Sequence, residues 1–265
     1  MNGLLLRLAG PLQSWSTHSR FNDRDTHTAP TRSGLIGLIA SALGYPRHRP
    51  PGDLTDLSFT LRIDQPGTPL SDFHTAGGGL PARATIVTGE GKRRPAGKGT
   101  LTSHRHYLAG AAFTLAVTAP EDTGDLIDRC AHALAHPTWP PFLGRRSCPP
   151  AGPLLLAHLA NPQTHLSTLP LSRPRPSGAS TVVEFHTDNP GNLTHLNLPP
   201  TDLDPAPHLP SLDLTDEPVS YHHLTRTYRT RTVHRATANL PSALCADTGT
   251  TYLRALTTYL KEHAT

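Results

Sequence analysis

An α+β fold around one antiparallel sheet is predicted by three observations. Apolar strand-like segments and helical segments follow one another over residues 4–159 in the order strand, helix, strand, strand, helix, strand. Residues 57–63 read LSFTLRI, an alternation of period two, whereas residues 33–43 carry their apolar side chains at helical spacing. The chain has 265 residues, enough for one large core or two modest ones, and 28 of them are proline, so much of it must run as extended connection.

Each element has a local reason. Leu4–Leu8 is a short apolar strand. Ser33–Leu43 is a helix that Thr31 or Ser33 can cap, with Leu35, Ile36, Ile39 and Leu43 on one face and Gly44 followed by Pro46 at its end. Leu57–Ile63 is a half-buried strand with Leu57, Phe59, Leu61 and Ile63 on the covered side. Phe113–Val117 is a third strand. Asp122–Leu134 is a second helix, with acids in its first turn and Leu126, Ile127, Cys130 and Leu134 together. Leu154–Leu159 closes the series as an apolar strand. This order is the split βαβ, or ferredoxin-like, unit, whose topology the RNA-recognition module shares. It predicts a first domain over residues 1–160 and a Pro-rich, strand-containing region over 161–265, with a strand at Thr181–His186, alternating polarity at 221–235 and a last helix at Thr250–Lys261.

Residues 64–112 do not belong to the minimal unit, where a hairpin turn needs only a few residues. They contain HTAGGG at 74–79 together with Lys92, Arg93, Arg94, Lys98 and Arg105, and Glu90 is their only acid from Phe73 onward. Such a segment is either a disordered loop or an arm that orders on a partner, and composition alone tips towards disorder.

Charge narrows the partner. Net charge is +4, and it is uneven: residues 1–150 hold 16 Lys and Arg against 11 Asp and Glu, residues 151–265 hold 8 against 9. Arg outnumbers Lys 21 to 3, which suits phosphate and base stacking, although a GC-rich coding sequence produces the same ratio without the clustering. Cys130, Cys148 and Cys245 are far apart and odd in number, which argues for free thiols in a reducing compartment and against a disulfide scaffold or zinc site. The apolar start GLLLRLAG is too short, and too soon broken by Arg7 and Pro11, for a signal peptide or membrane span. A cytoplasmic protein with no membrane contact and no cofactor is expected.

Three groups of residues could carry chemistry. Gln13, Trp15, Arg20, Arg24, Thr31, Arg32 and Ser33 lie between the first strand and first helix, where Trp15 could stack on a base while Arg side chains and the helix start take phosphates. Trp15 could equally plug the edge of the core. FLGRRSCPP at 142–150 combines a sharp turn at Gly144 with the paired forks of Arg145 and Arg146, followed by Ser147 and Cys148. Tyr45, Lys98 and His104, with His74, His106 and Tyr107 nearby in sequence, could serve metal-free RNA cleavage as general acid and base, but 17 histidines make such proximity commonplace. His104/His106 and His222/His223 lack carboxylate or Cys companions at metal-ligand spacing.

LRLAGPLQSW at 6–15, PTRSGLIGLIASALG at 30–44, DFHTAGG at 72–78, HRHYLAGAAFTLAV at 104–117 and PPFLGRRSCPP at 140–150 occur in this order, followed by DEP at 216–218 and Arg226, Tyr228, Arg231 and Val233. In these segments the chain resembles the CasD-type subunits of the type I-E CRISPR effector complex, Cascade, within the RAMP superfamily. The resemblance implies an RNA-recognition-like domain with a β-hairpin thumb from residues 64–112 and a small strand-rich C-terminal part. It implies a non-catalytic subunit that binds the 5′ handle of the CRISPR RNA (crRNA) and caps the backbone subunits. The thumb would displace one nucleotide, the PAM-reading large subunit would dock nearby, and target DNA would be reached through the complex. The residues expected at RNA on this reading are Arg145 and Arg146 for phosphates, the Ser33 helix start, Trp15, and His74, Arg105 and Tyr107 on the thumb. Residues 187–212 stand as an insertion without an assigned role. Relatives in other subtypes cleave precursor RNA, so a metal-independent endoribonuclease is the alternative, and an architectural subunit whose basic groups meet acidic proteins is a third.

Overall fold

The computed structural model describes residues 2–17, 22–88, 91–196, 198, 211–222 and 226–263. Eleven strands and five helices are described: β1 (Asn2–Ala9), β2 (Leu12–Gln13), β3 (Asp23–Arg24), α1 (Arg32–Ala42), β4 (Ser58–Gln65), β5 (Thr68–Ala76), β6 (Leu101–Ala109), β7 (Ala112–Thr118), α2 (Leu126–Ala135), β8 (Leu155–Ala160), α3 (Pro162–His165), β9 (Ser180–Thr187), α4 (Gly191–Thr194), β10 (Leu212–Ser220), β11 (Thr227–Pro241) and α5 (Gly249–His263). The protein is a mixed α+β structure with mostly antiparallel pairing.

The main sheet has seven strands in the order β10-β11-β9-β4-β7-β1-β8. Its centre is buried on both faces, which is why β1 reads as a continuous apolar run and not as an alternation. Leu4, Leu6 and Leu8 pack with α1 and α2, while Leu5 and Ala116 point the other way into a second core with Leu169, Phe185, Tyr252 and Leu256. α5 therefore covers the face that α1 and α2 leave open. The boundary expected at residue 160 falls inside this sheet, because β9, β10 and β11 extend it beyond β4.

Two sequence expectations change here. The strand at 57–63 is covered on both sides, since its polar face is filled by a buried ion pair. The Arg62 Nε donates to Asp64 at 2.6 Å, and its two terminal nitrogens donate to the carbonyls of Leu166, Leu169 and Pro170 at 2.7–2.8 Å. A period-two pattern reports polarity and not exposure, and an Arg with every bond satisfied can lie in a core. The second helix begins at Leu126 and not Asp122, because Gly124 adopts a positive φ of 62° that interrupts the turn at Glu121–Thr123.

The segment that composition reads as disordered contains a hairpin arm. β5 and β6 pair over nine registers from Thr68–Ala109 to Ala76–Leu101, continuing the β4–β7 pair across Gly67 and Gly110, both with positive φ. Beyond it Arg93 bridges to Val87, and the Thr85 hydroxyl donates to the carbonyl of Arg94 at 2.6 Å.

At the far end of the sheet, β9 and β11 are tied by Glu184, which accepts from His186 at 2.7 Å and from Arg235 at 2.5 and 2.8 Å. These bonds, His186 first, hold the Glu184 carboxyl down to about 2 against its ordinary range. Because the folded pKa is depressed, its stabilisation is complete above the unfolded value of about 4.3 and is lost as pH falls towards 2. A Glu184→Gln variant is expected to melt below wild type at neutral pH, with the gap closing between pH 4 and 2 in a thermal melt series. A gap independent of pH would contradict this.

Candidate nucleic-acid interface

The loop leaving β1 is laid along the base of the arm. β2 pairs antiparallel with Leu108–Ala109 and β3 runs parallel to His104–Arg105. Between them the His27 N–H donates to the Trp15 carbonyl at 2.7 Å, and the Trp15 N–H donates to the Thr26 hydroxyl at 2.9 Å. The Gln13 amide donates to the carbonyls of Leu8 and Ala111 at 3.1 and 2.8 Å, and its oxygen accepts from the Trp15 indole at 3.0 Å. Trp15 is 1% exposed, and its ring lies so close to α1 that a Cβ on Gly34 would come within 2.8 Å of it. Gln13 and Trp15 therefore shape the loop from inside. Their expected contact with RNA is corrected, since a fully buried ring has no face left for a base.

The start of α1 is also spoken for. Thr31 caps it, accepting from the Gly34 N–H at 3.3 Å, and the Arg32 N–H donates to Asp216 Oδ2 at 2.6 Å. Asp216 in turn receives Arg231 on both oxygens, at 2.7 and 3.0 Å. The Arg32 guanidinium donates to the carbonyls of Leu57 and Thr55 and to Asp188, at 2.5–2.7 Å, and pairs with Glu217. A helix N-terminus attracts an anion, and here that anion is the protein's own carboxylate. The expectation that Thr31 and Arg32 hold an RNA backbone is thus corrected: both are buried, Thr31 caps its own helix, and Arg32 ties α1 to β10 and, through Asp216, to Arg231 on β11. The Ser33 carbonyl accepts from the Tyr221 hydroxyl at 2.7 Å. DEP at 216–218 and Arg231, legible in the sequence as motifs, are the other half of this joint.

The FLGRRSCPP loop closes over the Trp15 segment. Ser14 N–H donates to Leu143 O at 3.1 Å, and Leu143 N–H to Cys148 O at 2.8 Å. Gly144 has φ of 92°, and a Cβ there would lie 1.7 Å from the Ser14 oxygen. Arg145 reaches across to donate to the carbonyls of His106, Arg24 and Asp25 at 3.0, 2.7 and 3.0 Å, with its guanidinium 4.8 Å from the centre of the Tyr107 ring. Arg145 is thus a clamp between loop and arm more than a free phosphate ligand. Tyr107 and Cys148 are buried, which corrects their expected contact with RNA, whereas Gly144, Arg146 and Ser147 face outward.

What this framework presents at the arm base is positive charge. Arg24 on β3 stands beside Arg105 on β6, with Arg145 behind. Arg105 donates to the Ser103 hydroxyl at 3.2 Å, and the Arg24 Nε is buried with no hydrogen-bond partner among the described residues. Farther along, His74 lies 3.5 Å from Asp72 and His106 3.1 Å from Asp23. Phe73 is 61% exposed, its ring 5.3 Å from that of His104. Phe73 is absent from the expected site residues, and the signal for it is an aromatic set among the polar Ser71, Asp72 and His74. Tyr45, Lys98 and His104 occupy separate elements: Tyr45 follows α1 beneath Arg49, Lys98 lies in the turn Ala96–Lys98, and His104 is on β6. Arg20 and His223 lie outside the described residues. Among those residues no group of three or more His, Cys, Asp or Glu is placed to hold a metal ion, and no helix is long and apolar enough to cross a membrane.

An arm-bearing α+β protein with a basic arm base defines a class, and the comparisons agree with it. A family model described as CRISPR-associated protein (Cas_Cas5) matches residues 3–234, and the chain belongs to this family. The CRISPR system Cascade subunit CasD of Escherichia coli (strain K12) is 36% identical over 165 residues, spanning 58% of this chain and 69% of that protein. A chain of a solved CRISPR RNA-guided surveillance complex superposes with a TM-score of 0.80 at 40% identity, over 98% of this chain and 99% of that one. A second solved structure, a Cas protein, shares the fold at a TM-score of 0.55 and 24% identity, over 93% of this chain and 98% of that one. Together these support a Cascade subunit of the CasD type.

Proposed function

We propose that this chain is a non-catalytic subunit of a type I-E CRISPR surveillance complex and holds the 5′ handle of the crRNA at the base of its arm. One observation carries the reading: Arg24 and Arg105 stand side by side there, with the clamped Arg145 adding its charge behind them. Burial, and then the charges of Arg105 and Arg145, lower the Arg24 pKa from its ordinary value. Guanidinium groups held together in the free protein are relieved by a phosphate chain, whose oxygens accept from several forks at once. Arg146, outward on the neighbouring loop, extends the same surface.

The fold supports this reading. The strand order β8-β1-β7-β4, with α1 after β1 and α2 after β7, supports reading this part as a ferredoxin-like, RNA-recognition-related unit. On this view the arm is the thumb, and exposed Phe73 takes the place of buried Tyr107 in parting one nucleotide from its neighbour. Backbone subunits and the PAM-reading large subunit are its protein partners, target DNA is met through the complex, and the whole works in the cytoplasm.

Arg24→Ala combined with Arg105→Ala is expected to weaken binding of handle RNA and to reduce the slope of log affinity against log salt by about 0.7 per lost phosphate contact. An unchanged slope overturns the assignment. In EDTA, labelled repeat RNA is expected to remain intact with the purified chain. Cutting at one site would establish the endoribonuclease instead.

A further inference from the structure

A second surface lies where α1 and α2 end. The backbone joins the two ends directly, since Thr138 N–H donates to the Ala42 carbonyl at 2.9 Å and Gly44 packs against Thr138. Two exposed loops follow, 46–50 and 135–140, each framed by prolines that stiffen it: Pro46 and Pro50 in one, Pro137 and Pro140 in the other. Trp139, on the second loop, is 44% exposed, and the Arg49 guanidinium lies over the Tyr45 ring, 3.5 Å from its centre.

The bland explanation is that Arg47, His48 and Arg49 answer the partial negative charge of the helix end. Those carbonyls, however, are already taken by backbone: Leu43, Gly44 and Tyr45 N–H groups donate to Ile39, Ser41 and Ala40 at 2.8–3.0 Å. Among the described residues no carboxylate pairs with Arg47, His48 or Arg49, and the nearest acid in sequence, Asp53, is held by Arg129 at 2.8 Å. Neither loop contains an acid.

We propose that this surface binds single-stranded RNA, with an unstacked base on Trp139 and phosphates on Arg47 and Arg49. The cations call for a polyanion. A rigidly mounted, exposed indole selects a strand whose bases are free to stack, which a duplex does not offer. Arg49 is held over the Tyr45 ring, and its N–H groups, unpaired with any carboxylate among the described residues, are those that take the phosphate. The chain runs from Trp139 to Arg146 beside the arm base, and we take the strand bound here to continue the one assigned there. To that extent the inference rests on the proposed function.

The chain reports on itself, because its two tryptophans differ so sharply: Trp15 is 1% exposed and internally bonded, whereas Trp139 is 44% exposed. Titration of the full-length chain with an unstructured oligoribonucleotide is expected to quench tryptophan emission. Trp139→Phe should abolish the quench and keep most of the affinity, and Trp139→Ala should lower affinity about tenfold. Arg47→Ala with Arg49→Ala should flatten the salt slope. If RNA binds through the arm base with no quench and Trp139→Ala has wild-type affinity, this surface is not an RNA site, although the arm-base assignment stands. Quenching that persists while Arg24→Ala with Arg105→Ala leaves affinity and slope untouched removes that assignment and keeps this one. Equal quenching by polyglutamate overturns the RNA assignment in favour of an acidic protein partner.

Discussion

Arg32→Ala is expected to cost about 3–5 kcal/mol of stability, the range for removing one partner of a buried ion pair. Arg32 has no access to solvent worth the name: its guanidinium reaches Asp188, Glu217 and the carbonyls of Leu57 and Thr55 from inside the joint between α1, β4 and β10. Without it, Glu217 loses its Arg32 partner, Asp188 is left with only Ser58 and Phe59 as donors, and the carbonyls of Leu57 and Thr55 lose the Arg32 fork, so the desolvation left uncompensated outweighs the pair's own attraction. A fall in Tm of about 10 °C follows for a protein of this size. Binding of RNA by the chain that remains folded should keep its salt slope. The opposite pattern, an unchanged Tm with a shallower slope, would put Arg32 at the RNA and undo the assignment of this joint.

Gly144→Ala is the second large effect, expected at about 3 kcal/mol or more because strain and collision act together. The backbone there has φ of 92°, which disfavours any side chain, and the new methyl would sit 1.7 Å from the Ser14 oxygen. The Ser14–Leu143 bond cannot persist at that separation, so the 142–148 loop must lift. Arg145 would then leave the carbonyls of His106, Arg24 and Asp25. Handle binding should fall with stability, and Arg145→Ala should reproduce part of the binding loss without the backbone strain. Were Gly144→Ala to melt at the wild-type temperature, the close packing of the two loops would be wrong.

Much of the framework is legible from local pattern. β1, α1, β4, β7 and β8 occur within a few residues of their expected places, because apolar spacing, the Thr31 cap and the Gly44 stop are local signals. The candidate site was less legible. Trp15, Thr31, Arg32 and Tyr107 combine a residue type suited to RNA with a place in the segments expected to face it, yet all are buried. Composition cannot tell an Arg that waits for phosphate from one that already has a carboxylate, and Asp216 and Asp188 come from more than 150 residues away. Phe73 is the reverse case, an aromatic that the hairpin leaves in solvent.

The amino-acid order by itself determined the alternation of strands and helices, the concentration of basic charge in residues 1–150 and the ordered motifs of a CasD-type chain. These depend on neighbours a few residues apart or on residue types alone. Only the tertiary structure decided which arginines are free. Arg32 and Arg62 are consumed by carboxylates and carbonyls brought from distant segments, Arg145 is spent as a clamp, and Arg24, Arg105 and Arg146 are left at the arm base. Burial is a property of what covers a residue, and the covering strands and helix of the C-terminal part arrive from the other end of the chain.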